Sequence, residues 1–178
     1  GEGARTDADA ERYLKAYANA IDAVGQAAEG KGPHASNGVS VKLSALHPRY
    51  EARQEERVMR ELYPRMLQLA QAAKKWNIGL AIDAEEADRL VLSLKLFEKL
   101  ALEPSLKDWE GLGIVIQAYQ KRTRALIARL AQLARVRGTP IQTRLVKGAY
   151  WDGEVKRAQV MGREDFPVWT TKAATDVH

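Results

Sequence analysis

The sequence predicts an α/β domain whose parallel strands form part of a (β/α)8 TIM-type barrel. Three observations carry this expectation. Short apolar runs alternate with long amphipathic ones, each apolar run has one apolar and one polar face, and the chain has 178 residues. A complete barrel of this type takes about 250 residues and roughly 200 at the least. About four strands with their helices are therefore expected, as one domain over residues 1–178.

The first element read along the chain is a helix from Ala8 to Ala28, within a helical region 7–29. Thr6 is placed to cap it, with Asp9 three residues on. Gly25, Gly30, Gly32 and Pro33 then break the chain. Four runs rich in Val, Ile and Leu follow at strand length: Val39 to Leu46, Ile78 to Ala84, Leu112 to Ala118 and Ile141 to Ala149. Amphipathic stretches from Glu51 to Trp76, Glu85 to Ala101 and Tyr119 to Arg137 separate them, and a short helix is expected near Gly153 to Met161. The βα units are thus 39–76, 78–102, 111–138 and 140–178. Strand–helix–strand repeats imply parallel strands joined by helical crossovers.

An open doubly wound sheet and a barrel segment both satisfy that order, and the strand faces distinguish them. Successive side chains point to opposite sides of a strand. One set reads Val39, Val41, Leu43; Ile78, Leu80, Ile82; Leu112, Ile114, Ile116; Ile141, Thr143, Leu145. It suits burial beneath helices. The other reads Ser40, Lys42, Ser44; Gly79, Ala81, Asp83; Gly113, Val115, Gln117; Gln142, Arg144, Val146. A doubly wound sheet is covered on both faces and should be apolar on both. The small, polar second face instead suits a barrel interior, with chemistry at the C-terminal ends of the strands.

Composition narrows the function. Hydrophobic residues make up 46% and charged residues 29%, as in ordinary globular proteins. No apolar run approaches the roughly 20 residues of a membrane-spanning helix, and the start does not read as a signal peptide. With no cysteine and three histidines, disulfides and cysteine catalysis are excluded and a dedicated metal site is not expected. The net charge of +5 is spread out. The basic residues around Lys121 to Arg124 read as a solvated helix face, not as a nucleic-acid surface.

Lys42, Asp83, Gln117 and Arg144 form the candidate constellation, one from each strand and all facing the interior. The alternative is a buried salt-bridge network, for instance Lys42 with Asp83. Two cations, a carboxylate and an amide suit an anionic substrate and a polar cofactor ring without naming a reaction. The run Arg144-Leu-Val-Lys-Gly-Ala-Tyr-Trp-Asp152 is the most distinctive. Its small residues allow close backbone approach to a ligand, although a plain strand-to-helix turn would read the same way. Lys147 has the opposite parity and is expected to be solvated. His47 reads as a loop or capping residue, and Glu86 as a partner of a helix dipole.

Several of these runs together resemble the proline dehydrogenase domain of proline utilisation A proteins. They are Val39-Ser-Val-Lys-Leu-Ser-Ala-Leu-His-Pro-Arg-Tyr50, Ile82-Asp-Ala-Glu-Glu86, Val115-Ile-Gln-Ala-Tyr-Gln-Lys-Arg122 and Arg144 to Asp152, within a similarity that runs end to end. The resemblance implies a barrel binding FAD non-covalently, oxidising L-proline to Δ1-pyrroline-5-carboxylate and passing electrons to quinone. It implies that Lys42 holds the substrate carboxylate, Asp83 orients charged neighbours, and Tyr150 walls the proline pocket. Gln117 would hydrogen-bond the flavin ring and Arg144 would lie at its N5 edge. Val146, Gly148, Ala149 and Trp151 would contact FAD, with Thr170 and Lys172 toward its adenosine and phosphate end. Glu2 would form an ion-pair gate with an arginine of the last strand. The longer parent would be cytoplasmic, with peripheral docking on a membrane surface.

Placed on that family's barrel, the chain runs from just after the first strand into the helix after the fifth. The paired carboxylate-binding arginines and a flavin-contacting histidine would then lie outside it. The chain alone is accordingly expected to be inactive, and its strand edges and inner face to be covered by the remainder of the barrel or a second copy. A cooperatively unfolding monomer would contradict that expectation. A non-catalytic scaffold built on the same barrel is the alternative function.

Overall fold

The structure, a computed structural model, describes residues 3–178. Helix α1 (Asp7–Ala28) starts at the expected cap: Thr6 Oγ1 accepts the Asp9 N–H and Asp9 Oδ2 accepts the Thr6 N–H, both at 3.1 Å. Strand β1 (Val39–Val41) leads into a single helical turn, α2 (Leu43–Leu46), and then α3 (Glu55–Trp76). Strand β2 (Leu80–Ile82) is followed by α4 (Leu90–Ala101), and β3 (Leu112–Gln117) by α5 (Thr123–Arg137). Strand β4 (Gln142–Val146) is followed by α6 (Trp151–Val160) and α7 (Lys172–Val177). No helix among the described residues is long and apolar enough to cross a membrane.

The four strands pair in parallel and in sequence order, β1-β2-β3-β4, with Val39 opposite Leu80, Ile82 opposite Ile114 and Val115 opposite Arg144. Strand order equal to chain order, each crossover carrying a helix, is the wrapping of a (β/α)8 barrel rather than of a sheet that reverses direction. The α/β partial-barrel expectation holds. Its core lies between the outer strand faces and the helices: Val41, Leu80, Ile82, Leu112, Ile114 and Ile116 pack against residues such as Leu62, Met66, Leu96 and Phe97. Helix α1 closes the side of β1, approaching α3 so nearly that a Cβ on Gly25 would lie 2.2 Å from the Trp76 ring. The Trp76 indole N–H donates to Asp22 at 2.8 Å.

Three expectations are corrected. Leu43 to Leu46 is helical, not strand, so Lys42 stands at the exit of β1 as the residue before α2. The helix expected from Glu85 begins only at Leu90, after a turn at 87–89, and Glu86 caps nothing; its carboxylate pairs with Arg89 at 3.2 Å. On β4 the supposed buried face is open, with Thr143 exposed and Leu145 58% exposed. Neighbouring β3 is buried at every position. Coverage of a strand depends on what packs over it, which its own alternation does not encode.

Candidate functional site

The polar side chains of the inner face gather at the C-terminal ends of the strands. Arg144 on β4 reaches across β3 to Asp83, just past β2, and its guanidinium donates to Asp83 Oδ1 at 2.7 Å. The carboxylate therefore pairs with Arg144, not with Lys42 as the salt-bridge alternative supposed. Arginine remains half exposed at the mouth, where a surface-accessible pair contributes little to stability but holds a cation in one place. Lys42, at the end of β1, has its backbone N–H donated to the Tyr17 hydroxyl at 3.2 Å.

Gln117 is 3% exposed at the end of β3 and braces two loops at once. Its Nε2 donates to the Glu85 carbonyl at 2.9 Å and its Oε1 accepts the Ala149 N–H at 3.1 Å. An amide has two hydrogens and two lone pairs, so a ligand contact would use the remaining half of each. The loop it holds is fixed again at Ala87, whose N–H donates to the buried Glu154 on α6 at 2.5 Å and whose carbonyl accepts from Arg122 at 2.7 Å. Glu85, in the same loop, accepts the Ser44 N–H at 3.0 Å and pairs with Arg89 at 2.8 Å.

The turn after β4 is shaped by Gly148. Its φ is +137°, a region L side chains rarely adopt, and a Cβ there would lie 2.5 Å from the Tyr119 ring. This lets the chain fold back so that the Tyr150 N–H donates to the Tyr119 hydroxyl at 3.2 Å. Burial pushes the Tyr119 hydroxyl up to about 12. Burial, and then the charges of Glu85 and Glu86, also raises Tyr150. Both phenols stay protonated at neutral pH; the Tyr119 hydroxyl accepts from the Tyr150 backbone, and the Tyr150 ring is a wall.

Two adjoining hollows result. One, of about 420 Å³, has Lys42, His47, Tyr50, Glu85, Arg89 and Tyr150 on its walls. The other, of about 450 Å³, runs along Gly148 to Glu154 with Glu86 and Arg157. Tyr150 and Glu86 line both. Ala149 and Trp151 are exposed here, and the Trp151 indole N–H donates to the Trp169 carbonyl at 3.0 Å. Val146 is half-buried at the strand end, and Thr170 and Lys172 lie exposed beyond α6. Lys147, expected to be solvated, is exposed and pairs with Asp176 at 2.6 Å. Glu2 lies outside the described residues.

Sequence reasoning overlooked Arg89 and Glu154, and it read Glu85 only as an acidic residue of a first helical turn and Arg122 only as part of a solvated helix face. The four-residue spacing of Glu85 and Arg89 was a visible signal. Glu154 gave none, since its partner lies 67 residues away.

The proline dehydrogenase family matches residues 1–178. The chain is 55% identical over 177 residues to the bifunctional protein PutA of Salmonella typhimurium, covering 99% of this chain and 13% of that protein. It is 26% identical over 132 residues to mitochondrial proline dehydrogenase 1 of Caenorhabditis elegans, covering 71% of this chain and 21% of that one. A crystal structure of a Bradyrhizobium japonicum proline utilization A mutant superposes with a TM-score of 0.97 at 54% identity, over 99% of this chain and 18% of the other. Proline utilization A from Bdellovibrio bacteriovorus, inactivated by N-propargylglycine, gives 0.90 at 30% identity, over 99% and 20%. The chain thus spans a small part of the relatives it matches, and it belongs to the proline dehydrogenase family.

Proposed function

We propose that this segment supplies the Lys42 side of the substrate pocket and part of the flavin seat of an FAD-dependent dehydrogenase that oxidises L-proline to Δ1-pyrroline-5-carboxylate. The observation that carries the reading is the convergence of Lys42, the Asp83–Arg144 pair and Tyr150 at one end of the parallel strands, beside the open turn at Gly148.

The residues fit a flavin dinucleotide. The turn offers small residues, Gly148 and Ala149, where a backbone can approach a flat ring. It also offers the exposed indole of Trp151, and Thr170 and Lys172 are accessible for a sugar or phosphate. Gln117 and Val146 border the same turn through the Ala149 bond and the strand end. FAD, when bound, supplies the hydride acceptor.

The chain's own groups then divide the work. Lys42 attracts the substrate carboxylate and sets the ring's orientation, which lowers the barrier by removing orientational freedom. Asp83 holds the Arg144 guanidinium, whose positive charge favours electron density arriving nearby. Tyr150, neutral because of burial and the Glu85 and Glu86 charges, closes one wall of the pocket without adding charge to it. Quinone as electron acceptor, and docking of a longer protein on a membrane surface, rest on the family resemblance alone. So do the Glu2 gate and the need for further barrel strands or a second copy to complete the substrate clamp.

The test is Lys42→Met in a complete barrel carrying this segment. Flavin content read from the visible spectrum should be unchanged, while KM for L-proline rises about tenfold or more, as loss of a charged anchor implies. An unchanged KM, or a barrel that takes up no flavin, would overturn the reading.

A further inference from the structure

His47 belongs to the His47-Pro-Arg-Tyr50 run, which the proposed chemistry leaves unused. Its imidazole is buried, 1% exposed, between the exit of β1 and helix α3. Both ring nitrogens are engaged. Nδ1 accepts the Arg49 N–H at 3.0 Å, and Nε2 lies 3.0 Å from Glu61 Oε2. A nitrogen that accepts a backbone N–H carries no proton, so the network places the proton on Nε2, donated to Glu61. With both nitrogens committed, His47 has no lone pair left for a substrate proton.

What it does instead follows from its partners. Glu61 is gripped by Arg57 Nε at 3.0 and 3.2 Å and by Arg60 at 3.1 Å. One turn further along α3, on the same face, Arg65 donates to the Leu46 carbonyl at 2.7 Å. Helix α3 thus holds residues 46–49 at two points a turn apart. The held segment runs into Tyr50, which is buried and carries the Arg89 guanidinium 5.4 Å from its ring centroid. Arg89 pairs in turn with Glu85 and Glu86. His47, Tyr50 and Arg89 wall the same hollow as Lys42 and Tyr150.

We propose that His47 is a positioning residue: in its neutral, Nε2-protonated form it latches the turn after β1 to Glu61 of α3, and so fixes the wall of the Lys42 pocket. This rests on the reading that Lys42 receives the substrate carboxylate.

Two substitutions separate the halves of the ring. Asparagine places its amide oxygen where Nδ1 stands and retains the Arg49 bond. Glutamine places its amide nitrogen near Nε2 and retains the bond to Glu61. In a complete, flavin-loaded barrel, His47→Asn should raise KM for L-proline about tenfold with kcat within about twofold, since one charge-assisted bond is lost away from the reacting atoms. His47→Gln should stay near the parent value. Glu61→Ala should match His47→Asn, and the double variant should be no worse than either, because both remove the same bond. In the chain itself, nitrogen NMR of the histidines should show His47 neutral and protonated on Nε2.

An unchanged KM in His47→Asn, beside a raised KM in Lys42→Met, would overturn the latch while leaving the pocket reading intact. A silent Lys42→Met would overturn the pocket reading and the latch with it. Proton density on Nδ1, or a fall in kcat at constant KM, would also overturn the latch. Should His47→Asn lose its fold, Glu61→Ala and His47→Gln carry the same comparison.

Discussion

Arg137 and Arg144 lie seven residues apart in sequence, at opposite ends of the sheet, and they do opposite things. Arg137, closing α5 at the N-terminal end of the strands, is 9% exposed. It donates to three carbonyls, of Pro140 at 2.9 Å, Leu106 at 3.1 Å and Trp109 at 2.7 Å. Burial lowers its pKa, yet a guanidinium that high to begin with stays charged. Arg144 projects into the open mouth and makes one pair, with Asp83. The floor uses an arginine to satisfy backbone that would otherwise be orphaned. The mouth leaves its arginine half exposed beside Asp83. That division, stability at one end and chemistry at the other, is the working plan of a parallel barrel.

Replacing the floor arginine should produce the largest effect. Arg137→Leu leaves three carbonyls without their donor, at a cost on the order of 3 kcal/mol. In a complete barrel carrying this segment, denaturant unfolding should show a lower midpoint at unchanged slope. The mouth should keep its arrangement, with Asp83 still paired to Arg144. A midpoint within error of the parent would mean that water replaces the guanidinium, and the two ends would differ less than the geometry states.

The mouth should break differently. Gly148→Ala forces a side chain into a left-handed backbone position and onto the Tyr119 ring, a local strain of about 1–3 kcal/mol. The turn can relieve it by moving, because much of it faces solvent. Stability should therefore fall less than in Arg137→Leu, while the Tyr150–Tyr119 bond opens and Trp151 fluorescence shifts with its surroundings. A variant that loses as much stability as Arg137→Leu and leaves Trp151 emission unchanged would reverse the contrast.

The same contrast governs what was legible in the sequence. The βα rhythm and the inward set Lys42, Asp83, Gln117 and Arg144 follow from a period of two, which every residue of a strand reports locally. The segment from Leu43 to Leu46 did not declare itself, because a short apolar run fits a helical turn as well as a strand. Leu145 alternates correctly with its neighbours and is still exposed, since its cover would have to come from another element. Gln117 was marked as polar and inward, but its double brace depends on two loops lying within reach of one amide. The clamp of Glu154 on Ala87 is likewise a product of tertiary placement. Local alternation picked out the four strand residues, the family resemblance supplied members such as Thr170 and Lys172, and long-range packing wrote the wiring.

The smallest expected effect separates the two ends by acid. The floor contacts of Arg137 are to neutral carbonyls, whereas the latch at the mouth depends on a carboxylate. The hydrogen bond from His47, and then those from Arg57, hold Glu61 down at about 2 from its ordinary 4.5. A carboxylate depressed on folding contributes stability above its unfolded value and loses it as pH falls through the folded one. The contribution of Glu61 is thus complete above about 4.5 and fades toward about 2. Glu61→Gln should unfold at a lower temperature than the parent at pH 6, and the gap should close as pH falls through that window. The gap between Arg137→Leu and the parent should change less over the same range, because the carbonyls it leaves do not titrate. Among the described residues the only carboxylate acting on Arg137 is Asp108, which makes no hydrogen bond to it. A Glu61→Gln gap that persists undiminished at pH 2 would show that the grip on the turn after β1 is carried by shape and not by charge, and the mouth would then be held as the floor is.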